Sequence, residues 1–242
     1  MNSTDHISSH AALDKNSRFQ KAKKIAALLS EMIDIKNKVM LDIGTGSGYI
    51  AHYLANEVGP LGKVYSIDVE DQRQIHNGYE FRQVKGTLLP FESESIDLII
   101  SNHVIEHVGD KALQLDHLKE IYRVLKPLGC VYLAVPNKWT LIEPHFKLFF
   151  LSWLPHCLAH RYVKLMNKGN IYDCYPPSHT QITRLFKNAN FMWHQYTYKA
   201  IKIIPSLESV PFLFSIVLKL PISILKLFYP LIPSMIFLLR KH

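Results

Sequence analysis

Apolar residues along the chain fall into two alternating periods. From Arg18 to Ile35, Ile25, Leu28, Leu29, Met32 and Ile33 recur at helical spacing, with Lys21, Lys23 and Lys24 ahead of them. A compact run follows, Val39 to Ile43, ending in glycines. After it come a helix over Tyr49 to Glu57, a Gly59-Pro60 break and a second run, Val64 to Ile67, ending at Asp68. A third strand is expected near Tyr79 to Val84, and a fourth over Ile96 to Ser101 after a turn-like Glu-Ser-Glu-Ser stretch. Leu113 to Leu125 reads as a helix, closed by Lys126-Pro127-Leu128-Gly129, and a fifth strand runs Cys130 to Val135. Short apolar runs alternating with helices build β-α-β units. The expected fold is therefore α/β: a Rossmann-like, doubly wound, mainly parallel sheet with helices on both faces.

The pattern changes after Asn137. Residues 138–169 form an aromatic, proline-punctuated insertion (Trp139, Phe146, Phe149, Phe150, Trp153). A helix near Gln181 to Asn188 and a strand near Phe191 to Tyr198 resume the domain. The expected organisation is a flexible stretch over residues 1–17, one domain over 18–200 and an apolar, basic tail over 201–242. That tail is read as a C-terminal helical appendage.

Charge sharpens the reading of the tail. The chain has 242 residues and a net charge of +8. Six basic residues and one acid, Glu208, lie between Lys199 and the end, so that segment of 44 residues carries +5 of the total. Val210 to Leu239 has only two charges, Lys219 and Lys226, and they are seven apart. No charge-free run there reaches the ~18–20 residues of a transmembrane helix, and Pro211, Pro221, Pro230 and Pro233 interrupt it. Broken helices lying in a membrane interface, with lysines reaching outwards, are the expectation for residues 203–242. A buried helical pair or a dimer contact is the alternative, and the oligomeric state is left open. Cationic and apolar residues together point away from nucleic acid, whose partners carry Lys and Arg on polar surfaces. Residues Met1 to Ser17 are polar and lack an apolar export segment, which leads us to expect a cytoplasmic protein, peripheral on the inner face of the cytoplasmic membrane. Three cysteines, Cys130, Cys157 and Cys174, make no disulfide framework, and no two have metal-ligand spacing.

The stretch that carries chemistry is Leu41-Asp42-Ile43-Gly44-Thr45-Gly46-Ser47-Gly48. Glycines after a first strand permit a tight turn and close approach of backbone to a ligand at a helix N-terminus. The spacing is G-x-G-x-G, not the G-x-G-x-x-G of dinucleotide folds, and no G-K-[ST] is present. Asp42 before the loop would repel a pyrophosphate but suits a ligand carrying ammonium and sulfonium charges. Asp68, 20 residues beyond Gly48, can accept hydrogen bonds from two vicinal ribose hydroxyls.

These residues resemble the class I S-adenosylmethionine-dependent methyltransferases. The likeness continues through Leu89-Pro90-Phe91, Ile96-Asp97-Leu98-Ile99, Asn102-His103-Val104-Ile105-Glu106-His107-Val108 and Arg123-Val124-Leu125-Lys126-Pro127-Leu128-Gly129, covering roughly Lys38 to Asn137. The resemblance implies S-adenosyl-L-methionine as cofactor, with Asp42, Gly44, Thr45, Gly46 and Gly48 around its methionine part and Asp68 around its ribose. Asn102 and His103 would border the methionine and the reacting methyl. Where many relatives carry an acid after the third strand, this chain has Lys85 or Thr87, so the adenine contacts are not assigned.

Methyl transfer to oxygen needs alignment, exclusion of water and a base. His107 is the first candidate, with His145 and His179 behind it. The His103-x-x-Glu106-His107 order also spells an inverted zinc-protease motif, but it leaves a strand where that chemistry needs a helix, so no metal is expected. The expected function is transfer of a methyl group to a lipid-associated acceptor at the membrane surface, either a hydroxyl of a lipid-linked glycan or an isoprenoid quinone precursor. The alternatives are a soluble small-molecule methyltransferase with a dimerising tail and a non-catalytic cofactor-binding protein.

Overall fold

The computed structural model describes residues 15–30, 33–207, 220–227, 229 and 232–242. Seven strands form one sheet in the order β3-β2-β1-β4-β5-β7-β6. They are β1 (Val39–Ile43), β2 (Lys63–Asp68), β3 (Glu80–Gln83), β4 (Ile96–Asn102), β5 (Leu125–Pro136), β6 (Phe191–Gln195) and β7 (Ser234–Lys241). The first five pair in parallel, and β7 lies antiparallel between β5 and β6. The helices are α1 (Lys15–Ser30), α2 (Tyr49–Val58), α3 (Lys111–Val124), α4 (His156–Leu165), α5 (His179–Asn188), α6 (Thr197–Leu207) and α7 (Ile222–Leu227).

Strand alternation sorts the core into two layers. Leu41, Ile43, Ile99, Val131 and Leu133 face one side and pack on Leu118 and Ile121 of α3 and on Ile182 and Phe186 of α5. Met40, Val64, Leu98, Ile100 and Tyr132 face the other and pack on Ile25 and Leu29 of α1 and Leu54 of α2. The doubly wound α/β expectation is thus the architecture observed. Asp97 has a structural role: its Oδ2 accepts from the Val39 N–H and from Lys126 Nζ, each at 2.9 Å, tying β4 to β1 and β5.

The C-terminal reading requires correction. Ser234–Lys241 is not part of an appendage; it is a strand inside the sheet, paired with β5 from Pro136↔Ser234 to Cys130↔Arg240. Met235, Phe237 and Leu239 enter one core layer and Leu238 the other. A strand covered on both faces reads as a continuous apolar run, which periodicity cannot separate from a buried helix. The domain therefore extends past residue 200. Among the described residues the tail's helical character lies in α6 and the six-residue α7, while residues 208–219, 228, 230 and 231 lie outside the described ones. Two smaller boundaries also differ. The chain turns into α6 at Thr197, so β6 ends at Gln195 instead of Tyr198, and α1 begins at Lys15, inside the stretch expected to be flexible. Residues 1–14 lie outside the described ones. No helix among the described residues is long and apolar enough to cross a membrane.

Residues 138–169 fold over the carboxyl ends of β4 and β5. Their own small core joins Phe146, Leu148, Leu151, Ala159 and Val163 to Tyr172 and Cys174. Ser152 Oγ donates to Lys138 O at 2.7 Å and Trp153 Nε1 to Thr140 O at 2.9 Å, which closes the segment on itself.

Candidate active site

The glycine loop leaves β1 and enters α2. Gly44, Gly46 and Gly48 all have positive φ, the region where a side chain is disfavoured. Space gives a second reason at two of them. A Cβ on Gly44 would run into Val104, and one on Gly48 would run into Tyr79 Oη and Ile75 O. The N–H groups of Gly44 and Thr45 both donate to Ile67 O, at 2.9 and 3.2 Å, and Thr45 Oγ1 donates to the same oxygen.

Two acids stand at this loop, as the sequence places them. Asp42 is buried and its Oδ2 has no hydrogen-bond partner among the described residues. Burial first, and then the negative charge of Asp68, push its carboxyl well above the usual range, with Arg18 opposing. A buried, orphaned carboxylate oxygen beside a glycine loop fits a cationic ligand group. Asp68 Oδ2 accepts from the Gly46 N–H at 2.8 Å and Oδ1 from the Val69 N–H at 2.7 Å. Oδ1 also takes a long contact from the Glu70 N–H at 3.5 Å, and Oδ2 keeps a further lone pair for a ribose hydroxyl. These residues fit S-adenosylmethionine.

Asn102 ends β4, and His103 follows it with φ 59°, a strained left-handed turn for a residue with a Cβ. Next, Ile105–His107 makes a single 3-10 turn. His103 Nδ1 lies 3.3 Å from Glu106 Oε1, and His103 Nε2 lies 3.2 Å from Ser234 Oγ of β7. Burial lowers the pKa of His103 against the pull of Glu106. Burial of Glu106 acts the other way, but contact with His103 outweighs it and keeps the carboxyl low.

The insertion brings His145 onto this turn. His107 Nε2 and His145 Nε2 are 3.4 Å apart, and His145 Nδ1 and Glu143 Oε1 2.8 Å apart. Glu143 is itself buried and also accepts from the Phe146 N–H at 2.7 Å. For His145 burial lowers the pKa, but the Glu143 hydrogen bond and surrounding carboxylates prevail and raise it. Cys174 Sγ lies 3.7 Å from His107 Nδ1 and 3.8 Å from His145 Nδ1. Burial and the nearby carboxylates raise its thiol pKa. Its segment is pinned to the turn by the Tyr175 N–H, which donates to Glu106 O at 2.7 Å.

The structure therefore joins His103, His107 and His145 and leaves His179 elsewhere, its ring against Tyr229 and Phe237. The sequence reading did not include Glu106, Glu143 or Cys174 in the site. It also did not foresee Arg18 and Lys21 of α1, whose charges act on Asp42 and Glu106. Burial, with Arg18 beside it, brings Lys21 down to about 8. The basic cluster Lys21, Lys23 and Lys24 was the available signal, but nothing local says that α1 lies across the loop.

The sequence matches a family described as "Methyltransferase domain" over residues 34–196. A demethylmenaquinone methyltransferase of Lactococcus lactis is 28% identical over 187 residues, covering 71% of this chain and 72% of that one. A second of that name, from Chlorobaculum tepidum, is 26% identical over 171 residues, covering 65% and 66%. Among solved structures, an S-adenosylmethionine-dependent methyltransferase from Mesorhizobium loti superposes with a TM-score of 0.60 at 13% identity, covering 92% of this chain and all of the other.

Proposed function

The chain belongs to the class I S-adenosylmethionine-dependent methyltransferases, and from that premise we propose that it methylates a lipid-borne acceptor at a membrane surface. S-adenosylmethionine supplies the methyl group as an electrophile. The chain's own residues do the rest. Asp42 and Asp68 take the charged and hydroxylated parts of the cofactor, the glycine loop lets backbone approach it, and His103 and Asn102 border the reacting end.

The observation that carries the acceptor reading is the outer face of the insertion. Trp139, Leu141, Ile142, Phe149, Phe150 and Trp153 are all exposed, with Phe149 at 59%. Rings of Phe150 and Trp153 meet at 5.1 Å and those of Trp139 and Trp153 at 5.7 Å, so they form one patch. Lys138 Nζ lies over the Trp139 ring. Aromatic side chains clustered beside a lysine suit a lipid interface, and His145 lies in the same insertion. The patch supports a membrane contact in residues 138–169, where the sequence also offers Phe146 to Leu158 as a contact beside the one expected of residues 203–242.

Within that class we favour an isoprenoid quinone precursor. Two relatives are named as demethylmenaquinone methyltransferases, and a phenolic hydroxyl suits the cluster of imidazoles and carboxylates at the end of β4. Incubating membranes with radiolabelled S-adenosylmethionine and the protein, then extracting with organic solvent, tests this. Label in an isoprenoid quinone fraction is expected. Label in a lipid-linked glycan supports the surface but not the quinone, and label confined to water-soluble compounds overturns both.

A further inference from the structure

We propose that His107, His145 and Cys174 form a binding site for a borderline-soft divalent cation of the zinc type, with a fourth position open to an oxygen donor. One ligand atom from each of the three residues lies within 4.8 Å of the other two. The 3.4 Å between His107 Nε2 and His145 Nε2 is close to the ~3.3 Å that two nitrogens keep on a tetrahedral zinc ion with Zn–N bonds of about 2.0–2.1 Å. Cys174 Sγ approaches the same two rings at their Nδ1 atoms, 3.7 Å from His107 and 3.8 Å from His145.

A separate observation points to a cation at the same place. Glu106 is fully buried, and among the described residues its carboxylate has the 3.3 Å contact with His103 Nδ1 but no well-aligned hydrogen bond to either oxygen. Its Oε1 lies 3.9 Å from His145 Nε2 and belongs, with His103 and His145, to a second group of ligand atoms sharing His145. A buried carboxylate without hydrogen bonds is costly unless positive charge faces it. Glu143 on His145 Nδ1 is the outer carboxylate that fixes ring orientation for a ligand imidazole. Two imidazoles and one thiolate select zinc over magnesium or calcium, and three protein ligands leave the open position of a site that takes water or a substrate oxygen. That oxygen would belong to a hydroxyl or phenol, bound as its anion with release of one proton to water. The cation site rests on this cluster alone; only the identity of its oxygen ligand rests on the proposed acceptor.

The test uses the full chain with Cys157→Ser, which removes the exposed thiol and leaves Cys130 and Cys174. Titration with Zn2+ is expected to show one tight equivalent, and Co2+ in its place a thiolate-to-cobalt absorption band. Adding Cys174→Ser should abolish the band, and adding His145→Ala should weaken binding by about 100-fold or more. No saturable equivalent of Zn2+, or no thiolate band in the Cys157→Ser protein, overturns the site without recourse to a variant that could fail to fold. Because binding is read directly, failure of methylation on every acceptor leaves the result intact, and metal-free methylation does not rescue it.

Discussion

The Asp68 carboxylate at the end of β2 accepts a hydrogen bond of 2.8 Å from the backbone N–H of Gly46, so the acid and the glycine loop form one unit. Removing the acid disturbs the loop as well as the proposed ribose contact. Asp68→Ala should therefore weaken S-adenosylmethionine binding by roughly 10- to 100-fold, the span expected for lost hydrogen bonds to a charged group. Isothermal titration against the wild type measures it, and unchanged affinity contradicts the assignment.

Gly44 combines φ 74° with a Cβ position already filled by Val104. Gly44→Ala is expected to cost about 1–3 kcal/mol of stability from backbone strain together with the clash. Adding Val104→Ala relieves only the clash. Chemical denaturation of the single and double variants should show partial recovery at most.

Phe237 of β7 is fully buried, with its ring 5.1 Å from that of Phe186. Phe237→Ala should destabilise the protein by about 3–5 kcal/mol. Deleting residues 234–242 should abolish cooperative unfolding, since β5 is left paired with β4 alone and β6 loses the strand that joins it to the sheet. A truncated chain that unfolds as sharply as the full chain would contradict the place of β7 in the sheet.

Burial lowers the pKa of His117 from 6.5 to about 4. The unfolded chain binds a proton there at a higher pH than the folded one, so stability is fully present above about pH 6.5 and is lost as pH falls towards 4. The loss is on the order of 3 kcal/mol, at 1.36 kcal/mol per pKa unit. His117→Gln should flatten the stability curve across that window relative to wild type, by urea denaturation at a series of pH values.

Phe149 and Phe150 lie at the edge of the insertion's aromatic patch. Changing both to Ser should reduce sedimentation with vesicles of phosphatidylglycerol and phosphatidylethanolamine by about tenfold, the effect of losing roughly 1.4 kcal/mol of apolar transfer. Affinity for S-adenosylmethionine should stay as in wild type. Equal sedimentation of both proteins removes the patch from the membrane contact.

The sequence by itself determined the strand, glycine loop and acids to which the cofactor is assigned. The strand, glycine loop and acid at the next strand end are dictated by local rules: positive φ at Gly44, Gly46 and Gly48, and alternation in β1, β2 and β4. Asp42 and Asp68 were legible because each directly adjoins such an element. Two features were decided only by the tertiary structure. Ser234–Lys241 reads as apolar tail because a strand covered on both faces has lost the alternation that marks strands, and its partners β5 and β6 are about 100 and 40 residues away. His107, His145 and Cys174 are separated by 38 and 29 residues and have no spacing rule. They meet because the insertion has a core of its own, and that core folds Glu143 and His145 back over the turn after β4. Packing, not periodicity, gathers those side chains.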